Sequence, residues 1–371
     1  MKQTMNDTSK PRLLALDTLR GFDMFWIIGG DLFFKALGQE THWVWADLFA
    51  RQMDHAEWKG FYAYDLIFPL FMFISGVAIP YALFSQLEKG KTTKELYPKI
   101  LKRTFILIVL GIIYNGGLNF QFDTLRIASV LGQIGIAYAI AAFIAIHFKN
   151  FKALLFWVIG ILVGYAILQL LVPVPNFGAG TLTPEGSINS YLDRILLPGK
   201  LYGTVFDPEG ILCIISASAI TLMGTLAGII LHSNSFSPYK KVQFFIITGI
   251  ALIGLALLLQ NGYPIIKSIW TSTFNLLTGG ISFILLALFY LVIDVWKYQK
   301  WTFVFRVIGL NSIAIYMAVA IIDFQATSTF IFGGIASLFG NYQPIILILG
   351  LLIVEWFFLY FLYKKKIFIK V

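Results

Sequence analysis

The amino-acid sequence predicts an all-α integral membrane protein: a polytopic helical bundle of about ten transmembrane helices, forming a single domain over 1–371. Three observations carry this. Charged residues are 13% of the 371-residue chain and hydrophobic residues 58%, whereas an ordinary soluble domain is about a quarter charged. Apolar runs of about 20 residues, long enough to cross a bilayer, recur along the whole chain. The basic residues are also distributed one-sidedly between alternate loops, as a spanning chain requires. Such a composition excludes a disordered chain, and a soluble globule could not cover this much apolar surface. The single cysteine, Cys213, excludes an intrachain disulfide.

The first residues, 1–12, are polar and read as a cytoplasmic tail. The apolar run that follows is interrupted by Asp17, Arg20 and Asp23, which does not suit a signal peptide. The spans fall at roughly 13–38, 61–87, 98–119, 125–146, 151–172, 210–232, 240–261, 267–293, 302–323 and 344–363. The first carries an unusual load of charge. The second begins after a charged loop and contains Pro69, which can bend it and free backbone groups. The third follows the basic run EKGKTTKELYPKILKR, a topology determinant. The fourth starts just after Arg126. The fifth and sixth contain the small pairs Gly160/Gly164 and Gly224/Gly228, which suit close helix packing. The sixth opens on FDPEG, where Asp207 and Glu209 favour a helix N-terminus. The eighth is entered through PIIKSIWTSTFN, with Lys267, Trp270 and Asn275. The ninth holds Asn311 and Ser312, and the tenth an isolated Glu355. Segment 326–340 is apolar but short, and is expected to be interfacial or re-entrant.

With the N-terminus inside, 20 of the 28 basic residues fall on cytoplasmic segments. Six lie outside: Arg51, Lys59, Arg126, Arg194, Lys200 and Lys267. This bias predicts N-in and C-in, hence an even number of spans. The net charge of +9 is thus an orientation signal, and nucleic acid is not an expected partner. Two long extracytoplasmic loops, 39–60 and 173–209, are where aqueous recognition is expected.

Ionisable groups inside a span are costly and point to function. At 100° per residue, Asp17, Arg20, Asp23 and Asp31 fall within an arc of about 120°, along a stripe about 21 Å long. The second feature is DHAEWKGFYAYDLIFPLFMFISGVA. His55 lies there between Asp54 and Glu57, with Trp58 three residues on. A near-neutral imidazole can take a proton or act as a nucleophile, and a neighbouring carboxylate can fix its tautomer. Asp65 sits five residues into the second span. No metal-ligand spacing, Walker loop, dinucleotide fingerprint or soluble-type acetyltransferase phosphate loop is present.

Two blocks, RLLALDTLRGFDMFWIIGGDLFF and HAEWKGFYAYDLIFPLFMFISGVAI, together resemble the heparan-α-glucosaminide N-acetyltransferase family in its bacterial type. The first carries R-x-x-x-x-D-x-x-R-G as Arg12, Asp17, Arg20 and Gly21. The second carries H-x-x-W-x-G-x-x-x-x-D-L-x-F-P-x-F-x-F from His55 through Trp58, Gly60, Asp65 and Pro69 to Phe73. Weaker echoes are RIASVLGQIGIAY, FDPEGIL, KSIWTSTF and LNSIAIYM. The resemblance implies a transmembrane enzyme that passes acetyl from cytosolic acetyl-CoA to the amine of an extracytoplasmic glucosamine-type sugar. It places the catalytic histidine at His55 and a polar first-span residue, usually asparagine, at Asp31. Asp31 is therefore a departure, as is Gln133 where many relatives carry arginine. The large luminal domain of the lysosomal enzymes has no counterpart here, which favours a short acceptor and a bacterial inner membrane.

On this reading His55 is the base or a transient acetyl acceptor, and Asp31 or Asp65 orients the imidazole or binds the ammonium, with Asp31 taken as the catalytic carboxylate and Asp65 as an acceptor-binding residue. Trp58, Glu209, Lys267 and Trp270 are candidates for the acceptor site. Arg20, Arg126, Asn311 and Ser312 are candidates for acetyl-CoA. No metal is expected. The expected partners are the amino sugar, acetyl-CoA, the bilayer and, as an assembly, a homodimer. Two other readings fit the same architecture: a transporter of a small sugar or amino compound, and an O-acyltransferase acting on a surface glycan.

Overall fold

The computed structural model describes residues 13–121 and 124–369. The expected cytoplasmic tail, with Lys2, Lys10 and Arg12, lies outside the described residues, as does Lys370. Among the described residues the chain is helical, with two isolated bridges, Arg126 to Gly199 and Val174 to Gly178. The all-α class read from the sequence holds.

The first expected span is two helices, α1 (Leu14–Phe25) and α2 (Asp31–Thr41), joined by a π-helical turn at Trp26–Gly30. Gly29 has φ 131° there, which breaks the helix and is open to glycine at little cost. The seam of Asp17, Arg20, Asp23 and Asp31 therefore does not run along one continuous helix. The loop expected at 39–60 is partly helical, with α3 at Val44–Gln52. A 3₁₀ turn at Ala63–Leu66 leads into α4 (Ile67–Ile79), and a π-turn at Pro80–Phe84 into α5 (Ser85–Glu88).

Polar caps set the ends of the helices that follow. Thr92 and Glu95 form a capping box at the start of α6 (Thr93–Tyr114). Ser129 caps α7 (Val130–His147), and Asn150 caps α8 (Phe151–Leu171). In the second long loop Ser187 caps α9 (Ile188–Leu196). Next comes α10 (Ile211–His232), then α11 (Pro238–Leu259), where Ser237 caps and Pro238 takes the first turn. Thr271 caps α12 (Ser272–Phe289), which continues as a π-turn to Val295. Two short helices, α13 (Thr302–Leu310) and α14 (Ser312–Ile321), meet at a 71° bend. The last pair is α15 (Phe324–Ala336) and α16 (Gln343–Lys364).

Among the described residues, seven helical stretches are long and apolar enough to cross a membrane, or eight if the bent α13–α14 pair is one span. Two expected spans fall outside this count because of their charge. The α1–α2 pair carries Asp17, Arg20, Asp23, Asp31 and Lys35. The 22-residue α6 carries five charged residues from Lys94 to Arg103. At 13 residues α15 is about 20 Å long, short of a hydrocarbon core about 30 Å thick. It folds back on α16, with the Ser328 hydroxyl donating to the Leu347 carbonyl at 2.7 Å.

The most buried span is α10, whereas α8 and α11 turn much of their surface outward. Gly76 of α4 faces the Thr221 carbonyl of α10, and Gly224 faces that of Phe73. A side chain at either position would collide with backbone. The second pair expected from sequence, Gly160/Gly164 on α8, faces open space and packs against nothing.

Candidate active site

A carboxylate, an imidazole and an ammonium converge at one end of the bundle. The 3₁₀ turn before α4 places Asp65, whose Oδ2 accepts the Tyr62 N–H at 3.0 Å. Asp65 is fully buried, and its Oδ1 lies 2.7 Å from His55 Nδ1. His55 sits on the irregular segment after α3, half-exposed, with its ring 5.0 Å from that of Tyr64. Lys267 comes from the turn before α12. Its Nζ is 3.1 Å from Asp65 Oδ1, 2.8 Å from His55 Nδ1 and 3.4 Å from His55 Nε2. The two segments are tied by the Gly60 N–H donating to the Ile265 carbonyl at 2.9 Å. Gly60 has φ 117°, a conformation that favours glycine. Burial lowers the Lys267 pKa, opposed by the charges of Asp65 and Glu209.

The chemistry follows from proton counting. Nδ1 can donate to Asp65 or accept from Lys267, but not both. With its proton on Nδ1 and directed at Asp65, the ring keeps a lone pair at Nε2, the arrangement of a general base or nucleophile. Asp65 fills the orienting position. Asp31 does not touch the imidazole: it lies 3.8 Å from Lys35, which reaches Asp54 at 3.1 Å. That chain ends beside His55. Lys35, four residues after Asp31, is a site neighbour that the sequence reading passed over, although the i, i+4 spacing makes such a pair visible.

A second charged cluster adjoins the first. Arg126 donates to Asp207 through Nε at 2.8 Å and Nη2 at 2.5 Å, and also pairs with Glu209. Its guanidinium lies 4.9 Å from the Tyr202 ring centre. Both carboxylates hold Arg126 in its cationic form, and burial raises the Glu209 pKa against the opposing pull of Arg126. Arg126 was expected to bind acetyl-CoA. Instead it is occupied by two carboxylates, and Glu209 carries its cluster within electrostatic reach of Lys267.

The remaining expected residues separate. Trp58 donates its indole N–H to the Leu182 carbonyl at 2.8 Å and packs edge-on against Phe206. It clasps the two long loops together. Trp270 is 1% exposed and packs between Phe68 and Phe274, so it belongs to the core and offers no face to an acceptor. Asn311 holds the C-terminal segment: its Nδ2 donates to the Ile367 carbonyl, and its Oδ1 accepts the Ile369 N–H, both at 3.0 Å. Ser312 is buried beside it. Arg20 lies 3.7 Å from Asp17. That region is far from His55, because the Ala15 N–H donates to Asp294 at the far end of the stretch that begins after Lys267. Of the four residues expected at acetyl-CoA, Arg126 is paired with Asp207 and Glu209, Arg20 with Asp17, and Asn311 with the 367–369 backbone.

Apolar helices in this number define a polytopic membrane protein, and a carboxylate, an imidazole and an ammonium meet at one end of it. No family model matches the chain. The human heparan-alpha-glucosaminide N-acetyltransferase is 28% identical over 362 residues, covering 83% of this chain and 52% of that protein. The mouse protein of the same name is 27% identical over 376 residues, covering 85% and 54%. The chain thus spans about half the length of the curated relatives it matches. The resemblance carried by the two motif blocks extends across most of the chain.

Proposed function

We propose that the chain is a transmembrane N-acetyltransferase that takes acetyl from acetyl-CoA and delivers it to the amine of a glucosamine-type sugar. The observation that carries this reading is the contact of His55 with both Asp65 and Lys267 at one end of the bundle. The similarity to two N-acetyltransferases supports it. In this scheme Asp65 holds the Nδ1 proton and Nε2 takes a proton from the sugar's ammonium. The freed amine attacks the thioester carbonyl, a C–N bond forms, the C–S bond breaks, and the nitrogen's surplus proton passes to the departing sulfur, so that CoA leaves as its thiol. Amine and thioester held together supply the proximity term.

The positive-inside bias supports a placement of the His55 end away from the cytosol. The membrane we propose is a bacterial cytoplasmic membrane, with acetyl-CoA on one face and amino sugar on the other. The test is purified protein given acetyl-CoA and glucosamine, with products read by mass spectrometry. N-acetylglucosamine is expected, and H55A should abolish it. Unchanged product from H55A would remove His55 from the chemistry. Accumulation of unmodified sugar in vesicles would make the protein a transporter.

A further inference from the structure

A cavity of about 460 Å³ is lined by none of His55, Asp65 and Lys267. Its walls are the broken first span at Ile27–Gly29, the junction of α14 and α15, and one face of α16. Glu355 lines it. This is the charged residue isolated within the apolar length of α16. It is 2% exposed, and its Oε2 has no hydrogen-bond partner among the described residues. The cavity's other polar side chains are Asp323 and Gln325, and no lysine or arginine lines it. Asp323 is partly engaged, accepting the Ala326 N–H at 2.8 Å.

A carboxylate at this depth is costly unless something meets it. The lining offers a second carboxylate, one neutral amide, the first turn of α15 and an apolar wall, so the only donors it holds are neutral and it lacks a cationic one. The volume is far larger than a bare ion needs and falls within the range of small-molecule sites. The apolar lining, with Ile28, Leu32 and Leu351, suits a body carrying that cation. Helix interruptions that border a buried carboxylate are also how membrane proteins build ligand sites.

We propose that this cavity binds an amphipathic primary amine, its ammonium against Glu355 and its apolar part along α2 and α16. The amine comes either from a free amphiphile or from an aminophospholipid.

The test uses the full chain in phosphatidylcholine nanodiscs treated with dicyclohexylcarbodiimide. This apolar reagent converts a reachable carboxyl into an O-acylisourea. A seated amine then attacks the acyl carbon, dicyclohexylurea leaves, and an amide remains. One arm adds octylamine, a second adds phosphatidylethanolamine instead, and a third adds octanol. Peptide mass mapping should show Glu355 heavier by one amine less one water in the first or second arm. The adduct should saturate with dose, persist in D323N and vanish in E355Q. An octylamide identifies a free amine as the occupant, and a lipid amide identifies an aminophospholipid. Three results would overturn the proposal: an N-acylurea on Glu355 without amide, an octyl ester formed as readily as the amide, or no modification of Glu355. The readout does not use acetyl transfer, so its failure leaves the proposed activity untouched.

Discussion

Nδ1 of His55 has one position for a proton, and two neighbours within 2.8 Å compete for it. A charged Lys267 cannot accept, so it directs its own protons to Asp65 and leaves the imidazole N–H to the same carboxylate. A neutral Lys267 weakens that arrangement. Burial lowers the Lys267 pKa, so its ammonium is lost at a lower pH than in an exposed lysine. Activity that needs the ammonium should therefore decline along an alkaline limb. In K267M the limb should vanish and kcat should fall on the order of 100-fold, the cost of a misplaced catalytic group. K267R keeps its charge to higher pH and should move the limb upward while restoring part of the rate. A pH–rate profile of K267M that matches the wild type would reduce Lys267 to packing. The sequence brought His55 and Asp65 forward because they lie ten residues apart in one dense block. It could not choose between Asp31 and Asp65 as the partner, since a π-turn and a 3₁₀ turn decide where each carboxylate points. Trp270 looked like a sugar platform for a similar reason: an aromatic beside a lysine reads as a site until its neighbours, Phe68 and Phe274, are known.

Two glycine pairs had the same spacing in sequence and opposite fates in the fold. Gly224 and Gly228 on α10 let α4 approach to backbone contact, while Gly160 and Gly164 on α8 face open space. A four-residue spacing states that a helix has a smooth stripe, but only the partner helix decides whether the stripe is used. G224L should force α4 away from α10 and cost about 1–3 kcal/mol as an overpacked core position. G164L should cost nothing measurable. Melting midpoints of the two variants in the same detergent check this, and equal midpoints would mean that α4 and α10 tolerate separation. Ser129, Asn150, Ser187, Ser237 and Thr271 start their helices by a local hydrogen bond that needs no partner element, a local signal that the reading of spans did not draw on. The kinks at Gly29 and between α13 and α14 were not legible. Each arises where neighbouring helices fix a conformation that the local sequence only permits.

Across the whole molecule, charge has two separable roles. The loop lysines and arginines set orientation by number, whereas Asp65, Lys267, Arg126, Asp207 and Glu209 act by contact and gather at one end. Composition revealed the first role directly. The second required Gly60 to meet Ile265 and Trp58 to meet Leu182 across more than a hundred residues, which no local pattern encodes. The span count depends on which charged helices cross, and α6 is the pivotal case: long enough to cross, yet charged over its first half. Orientation tests it. Glu57, beside the site, and Lys365, after α16, are both exposed, while the native Cys213 is fully buried and should react little. In intact cells a membrane-impermeant maleimide should label E57C, and should label K365C only after permeabilisation. Opposite sides require an odd number of crossings between residues 57 and 365, as the N-in, C-in reading with ten spans demands. Labelling of both from the same side would require an even number, and either α6 or the bent α13–α14 pair would then have to leave the count.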